Sequence, residues 1–175
     1  MYVATIKKTD VANGPGVRVS LFVSGCTRAC PGCFNREAWD FQYGRKWDSQ
    51  VQEELLAALA PDYIRGFSVL GGEPFEPANC GTVAEIIRLV RKTYPGKDIW
   101  CYSGYVYESL LERAKTEPAV ADILSVIDVL VDGAFIEEKK NLRLAFRGSE
   151  NQRIIPLKTA GIQSNDSNQK TDMVK

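Results

Sequence analysis

The chain of 175 residues contains no histidine, and that absence excludes more than any residue present in it. Without imidazole there is no Ser-His-Asp or Cys-His nucleophile pair, no histidine general base, no paired-histidine zinc helix and no Cys/His zinc finger. An excess of charge of one sign is missing too. Lys plus Arg and Asp plus Glu number 22 each, and the pI is near 6.4. No global field draws in a phosphate backbone, so nucleic acid is not an expected partner. Long hydrophobic runs are also lacking. The stretch from Ala119 to Phe135 is broken by Asp122, Asp128 and Asp132, and Lys7, Lys8 and Asp10 follow a short apolar start. Neither a signal peptide nor a membrane span is expected.

What is present is an ordinary globular composition, 45% hydrophobic and 25% charged. A chain of this length suits one domain, burying roughly 70% of its unfolded surface. That domain is read over 1–160. The remainder, 161–175, is polar and aperiodic and cannot offset its own ordering entropy, so it reads as a loose tail. Five cysteines, an odd number with no export signal, point to a reducing cytoplasm and to thiols used as ligands or reagents.

Short β-rich runs alternate with helical patterns, which marks an α/β fold with a mostly parallel sheet. Four strands are expected at Val17 to Val23, Gly66 to Leu70, Ile99 to Tyr102 and Val126 to Val131, with a weaker edge run at Tyr2 to Ile6. Ser49 and Gln52 have capping-box spacing ahead of Val51, Leu55 and Leu59, and Pro61 stops that helix. Thr82 with Glu85 repeats the device ahead of Ile86, Ile87 and Val90. A third helix is expected over Tyr107 to Lys115, with Val106, Leu110, Leu111 and Ala114 facing in, and a short fourth one from Pro118. The unusual residues all follow strands: Ser24-Gly25-Cys26, Gly71-Gly72-Glu73-Pro74, Ser103-Gly104 and Asp132-Gly133. In parallel β/α architectures that edge is where loops converge and ligands bind.

Cys26, Cys30 and Cys33 lie on a loop tightened by Gly25, Pro31 and Gly32, and three soft thiolates at this spacing suit one compact metal centre. Structural zinc and ordinary four-iron clusters want four protein ligands. Either Cys80 or Cys101 completes the set, as in a four-cysteine zinc knuckle or an electron-transfer cluster, or one metal position is open for catalysis.

The cysteine triplet followed by Gly71-Gly72-Glu73-Pro74 resembles the radical S-adenosylmethionine (SAM) enzymes. The resemblance implies that Cys26, Cys30 and Cys33 hold a 4Fe-4S cluster whose fourth iron is chelated by SAM, and that the Gly71 to Glu73 turn receives the methionine amino group. Adenine would lie beside Gly32, Cys33 and Phe34, a position where many family members carry an aromatic in place of Gly32. Ser103 and Asp132 are candidates for the methionine moiety or a monovalent cation, or are strand-end turn residues. A complete eight-unit barrel needs about 250 residues. The fold expected here is therefore an incomplete (β/α) barrel of about four to six mostly parallel strands, open at its side.

Asn13-Gly14-Pro15-Gly16-Val17-Arg18 and Phe34-Asn35-Arg36-Glu37-Ala38-Trp39-Asp40 resemble the activating enzymes of glycyl-radical proteins. Cys30-Pro31-Gly32-Cys33, Trp100 to Tyr105, Leu130 to Gly133 and Arg147 to Arg153 are similar to the activases of the anaerobic (class III) ribonucleotide reductase. What this implies is reductive cleavage of SAM to methionine and a 5'-deoxyadenosyl radical, which takes a hydrogen atom from a glycine of the large reductase subunit. The electron would come from a flavodoxin or ferredoxin. Such chemistry needs no general base, in keeping with the missing histidine. A radical SAM enzyme with a small purine-like substrate and a non-catalytic iron-sulfur or zinc module are the alternatives. Trp39, Phe41, Tyr43 and Trp47 form either a docking surface or packing under the cysteine loop, and Arg147 and Arg153 either contact the reductase or belong to a solvated face. Cys80 and Cys101 are read as small buried hydrophobes. Replacing Cys26, Cys30 or Cys33 by Ala is expected to abolish anaerobic cluster assembly, while Cys80→Ala and Cys101→Ala leave the measured iron content unchanged.

Overall fold

The computed structural model describes residues 1–158, and the polar stretch 161–175 lies outside them. Its centre is four parallel strands, β2 (Arg18–Val23), β4 (Gly66–Gly71), β5 (Asp98–Tyr102) and β6 (Val129–Asp132), joined by helical crossovers. Helix α1 (Ser49–Leu59) connects β2 to β4, α2 (Pro77–Thr93) connects β4 to β5, and α3 (Tyr107–Ala114) with α4 (Pro118–Val126) connects β5 to β6. Antiparallel strands finish both edges. β1 (Tyr2–Asp10) pairs with β2, the two-residue β3 (Arg45–Lys46) pairs with β1, and β7 (Arg153–Pro156) pairs with β6. The sheet has seven strands in the order β3-β1-β2-β4-β5-β6-β7. This is a mixed α/β sheet with a parallel core, consistent with a partial radical SAM barrel.

The four parallel strands are those expected, and the short edge strands are added to them for local reasons. β3 is two exposed charged residues, and β7 offers only Ile154 and Ile155 between Arg153 and Pro156, so neither is long enough to show a strand period. β1 runs on to Asp10 through three exposed residues because its pairing with β2 continues there. Helix starts differ as well. Asp48, one residue before Ser49, caps α1 by accepting the Val51 N–H at 2.9 Å. α2 begins at Pro77 rather than Thr82, since proline's fixed φ suits the first helical turn. Val126 closes α4, so β6 begins at Val129. Leu110 is fully buried, but Val106 and Leu111 are exposed: α3 is only eight residues long and presents a narrow inward stripe.

Strand alternation gives the sheet two unlike faces. Leu21, Val69, Cys101 and Leu130 form one cross-strand row, buried against the helices in the main core. Cys80 is buried in the same core, and burial pushes its thiol up to about 11. The opposite face carries the row Ser20, Ser68, Trp100 and Val129, also buried, and Tyr102, Phe146 and Ile154 pack against its β5–β6 side. At its foot lies Arg18, with no exposed surface. Its Nε donates to Ser68 Oγ at 2.8 Å, Nη1 to Asp98 Oδ1 at 2.7 Å and Nη2 to the Phe67 carbonyl at 2.8 Å. One guanidinium thus ties together the starts of β2, β4 and β5. No helix among the described residues is long and apolar enough to cross a membrane. Arg18→Ala, which strands these acceptors, is expected to lower the unfolding free energy by about 3 kcal/mol in urea denaturation.

Candidate functional site

The four strand ends singled out in the sequence meet at one edge of the sheet. They border a cavity of about 620 Å³ lined by Cys26, Cys30, Cys33, Phe34, Gly71, Gly72, Glu73 and Ser103, among others. The cysteine loop is held there by its backbone. Gly25 N donates to the Ala38 carbonyl at 2.8 Å, Cys26 N to that of Trp39 at 3.2 Å, and Glu73 N to that of Gly25 at 2.9 Å. The loop therefore lies between the Ala38–Trp39 segment and the Gly71 to Glu73 turn.

Gly72 has a structural reason of its own. A Cβ there would come within 2.5 Å of the Gly25 carbonyl and 2.9 Å of that of Ala38, so the glycine is needed to let two backbones touch. Gly71 adopts φ +110 against β2, a conformation that disfavours any side chain. Glu73 is 1% exposed and accepts the Phe75 N–H at 3.0 Å, the Ser103 hydroxyl at 2.9 Å and the Gly104 N–H at 2.7 Å. Burial pushes its pKa up, opposed by those donors. Ser103 thus reaches the cavity as the partner of Glu73.

Two expected site residues do not line the cavity. Gly32, at φ +70, faces the carboxylate of Glu137, which a Cβ would meet at 2.7 Å. Asp132 is 1% exposed and is taken up by protein donors, the Tyr107 N–H at 2.7 Å and the Arg153 guanidinium. Arg153 also bonds Glu108, so it knits β7 to β6 and α3. Arg147 does line the cavity, and its Nη1 donates to the Gln152 carbonyl at 2.8 Å. Phe34 is no core side chain: it is 66% exposed, edge-on to Phe135 at 5.5 Å. The aromatic set divides. Trp39 lines the cavity, Trp47 packs on the core, the Phe41 ring lies against Gly25, and Tyr43 is 40% exposed.

Sequence reasoning missed the residues behind the loop. Asn79 Nδ2 donates to the carbonyls of Ser24 at 2.9 Å and Glu73 at 3.0 Å, and Glu76 accepts from Thr27. The available signal was Pro77, which as a first-turn proline would have placed both residues at the start of α2.

The three thiols are half-buried and free, and burial raises that of Cys26. Among the described residues, no three His, Cys, Asp or Glu side chains close on a single metal ion. A cluster held by one thiolate per iron asks instead for sulfurs spread around a larger body. Three soft donors on one loop, facing a roomy cavity and backed by a rigid glycine contact, fit such a cluster.

Residues 12–155 match the family described as a 4Fe-4S single cluster domain. The protein named "Anaerobic ribonucleoside-triphosphate reductase-activating protein" of Vibrio cholerae is 42% identical over 147 residues, covering 83% of this chain and 91% of the relative. Its namesake in Haemophilus influenzae is 39% identical over 148 residues, 83% of this chain and 92% of the other. That of Enterobacteria phage T4 is 36% identical over 147 residues, 83% and 87% respectively. The chain belongs to this family. Within the family's cluster domain, the Gly25–Gly72 backbone contact couples the cysteine loop to the neighbouring turn. Gly72→Ala is expected to cost about 1–3 kcal/mol through overpacking and to reduce the iron bound on anaerobic reconstitution.

Proposed function

We propose that this chain activates an anaerobic ribonucleotide reductase, using SAM and a 4Fe-4S cluster to leave a radical on a glycine of the reductase's large subunit. The observation that carries this reading is the meeting of Cys26, Cys30 and Cys33 with the Gly71 to Glu73 turn in one cavity. When bound, the cluster supplies one electron to SAM, whose cleavage provides the oxidising power for hydrogen abstraction.

The chain's own residues bind, orient and shield. Cys26, Cys30 and Cys33 would hold the cluster through their thiolates, and no fourth protein ligand would be needed beside SAM. The backbone at Gly71 and Gly72 receives the methionine amino group, because a glycine pair brings carbonyls close to such a donor. Glu73 and Ser103 keep that turn fixed against β5. Phe34 and Phe135 are the apolar surface available to adenine. Leu142, 85% exposed and lining the same cavity, is an apolar surface at which a partner's loop would meet it. The electron comes from a flavodoxin or ferredoxin-type donor, and the setting is a reducing cytoplasm, where five free thiols persist.

With reductant, SAM and the matching reductase under anaerobic conditions, 5'-deoxyadenosine and methionine are expected to be released as a doublet electron-spin signal grows on the partner. That splitting should collapse when the partner's glycines are deuterated. SAM cleavage without a partner radical, with a small purine-like compound consumed instead, would overturn the reading.

A further inference from the structure

Glu76 sits behind the cysteine loop, outside the cavity where SAM is placed above. It is 4% exposed. Its Oε1 accepts both the backbone N–H of Thr27 at 2.8 Å and the Thr27 hydroxyl at 2.6 Å. Thr27 follows Cys26 directly, so this carboxylate touches the loop next to a ligand. Among the described residues it takes part in no ion pair. Burying a carboxylate without a cation is costly, and two hydrogen bonds to one loop residue return only part of that cost. A neutral glutamine would accept the same two bonds.

The carboxylate has an electrostatic consequence that the amide lacks. An anion in a poorly hydrated site opposes the addition of an electron nearby, and cluster potentials respond to net charge and hydrogen bonding around the sulfurs. We propose that Glu76 is a positioning residue that anchors the cysteine loop through Thr27 and, by its buried charge, holds the cluster's reduction potential low. This inference rests on the cluster reading of the preceding subsection. A low potential is what reductive cleavage of a sulfonium requires.

The test is a redox titration of the reconstituted cluster, followed by electron-spin resonance, in the wild type, Glu76→Gln and Thr27→Val. Glu76→Gln keeps the acceptor oxygen and removes the charge. It is expected to load iron fully and to shift the midpoint potential to a more positive value. Thr27→Val keeps the charge and loses one hydrogen bond, and its potential is expected to stay at that of the wild type. An unmoved potential in Glu76→Gln, an equal positive shift in both variants, or loss of iron from Glu76→Gln alone would each overturn the proposal. A wild-type protein that assembles no cluster would overturn the cluster reading itself, an outcome separable from the other three.

Discussion

The contact on which the site depends is between two stretches of backbone. Gly72 lies against the carbonyls of Gly25 and Ala38, at distances no side chain would permit. Because Glu73 N also donates to the Gly25 carbonyl, the cysteine loop and the Gly71 to Glu73 turn form a single unit. Backbone hydrogen bonds thus fix the start of the loop at Gly25 and Cys26, and Cys33 N closes back on the Cys30 carbonyl at 3.2 Å.

That unit is fastened from behind by α2. Asn79 gathers the Ser24 and Glu73 carbonyls, and Glu76 takes the Thr27 donors, so the helix start serves both halves of the site. It is fastened from the side by Glu73, whose carboxylate reaches Ser103 and Gly104 beyond β5. Glu73, Glu76, Asn79 and Ser103 thus spend their hydrogen bonds on the protein itself, while Arg28 Nε, Trp39 Nε1 and the Tyr102 hydroxyl around the cavity have no protein partner. The foot of the sheet follows the same logic, with Arg18 satisfying acceptors on β4 and β5. Polar networks at both ends of the strands bracket an apolar layer, and once satisfied they rigidify it.

The two faces of the sheet are filled by different means. The row through Leu21, Val69, Cys101 and Leu130 is sealed by helices, whereas that through Ser20, Ser68 and Trp100 is buried by the polar groups of Asp10 and Arg18 and by Phe146. A fully wound barrel would close on itself. Among the described residues the seven strands end instead in antiparallel edges, and the cavity lies at the C-terminal ends of the parallel ones.

Much of this was legible in the sequence. The absence of histidine, the cysteine spacing, the glycine pair and the position of each unusual residue after a strand are local features, and strand and helix periodicity are local too. They placed the three cysteines, Gly71, Gly72, Glu73 and Ser103 at one edge, as the fold has them. The tertiary structure decided what depends on partners distant in the chain: the edge strands β3 and β7, which exist through pairing and not propensity, and the fate of individual polar groups. Asp132 has the composition of a ligand, yet Arg153 and the Tyr107 N–H occupy it. Glu76 has the composition of a surface residue, yet it is buried against Thr27. A carboxylate's role follows from the donors that surround it, and those are brought together only when the chain folds.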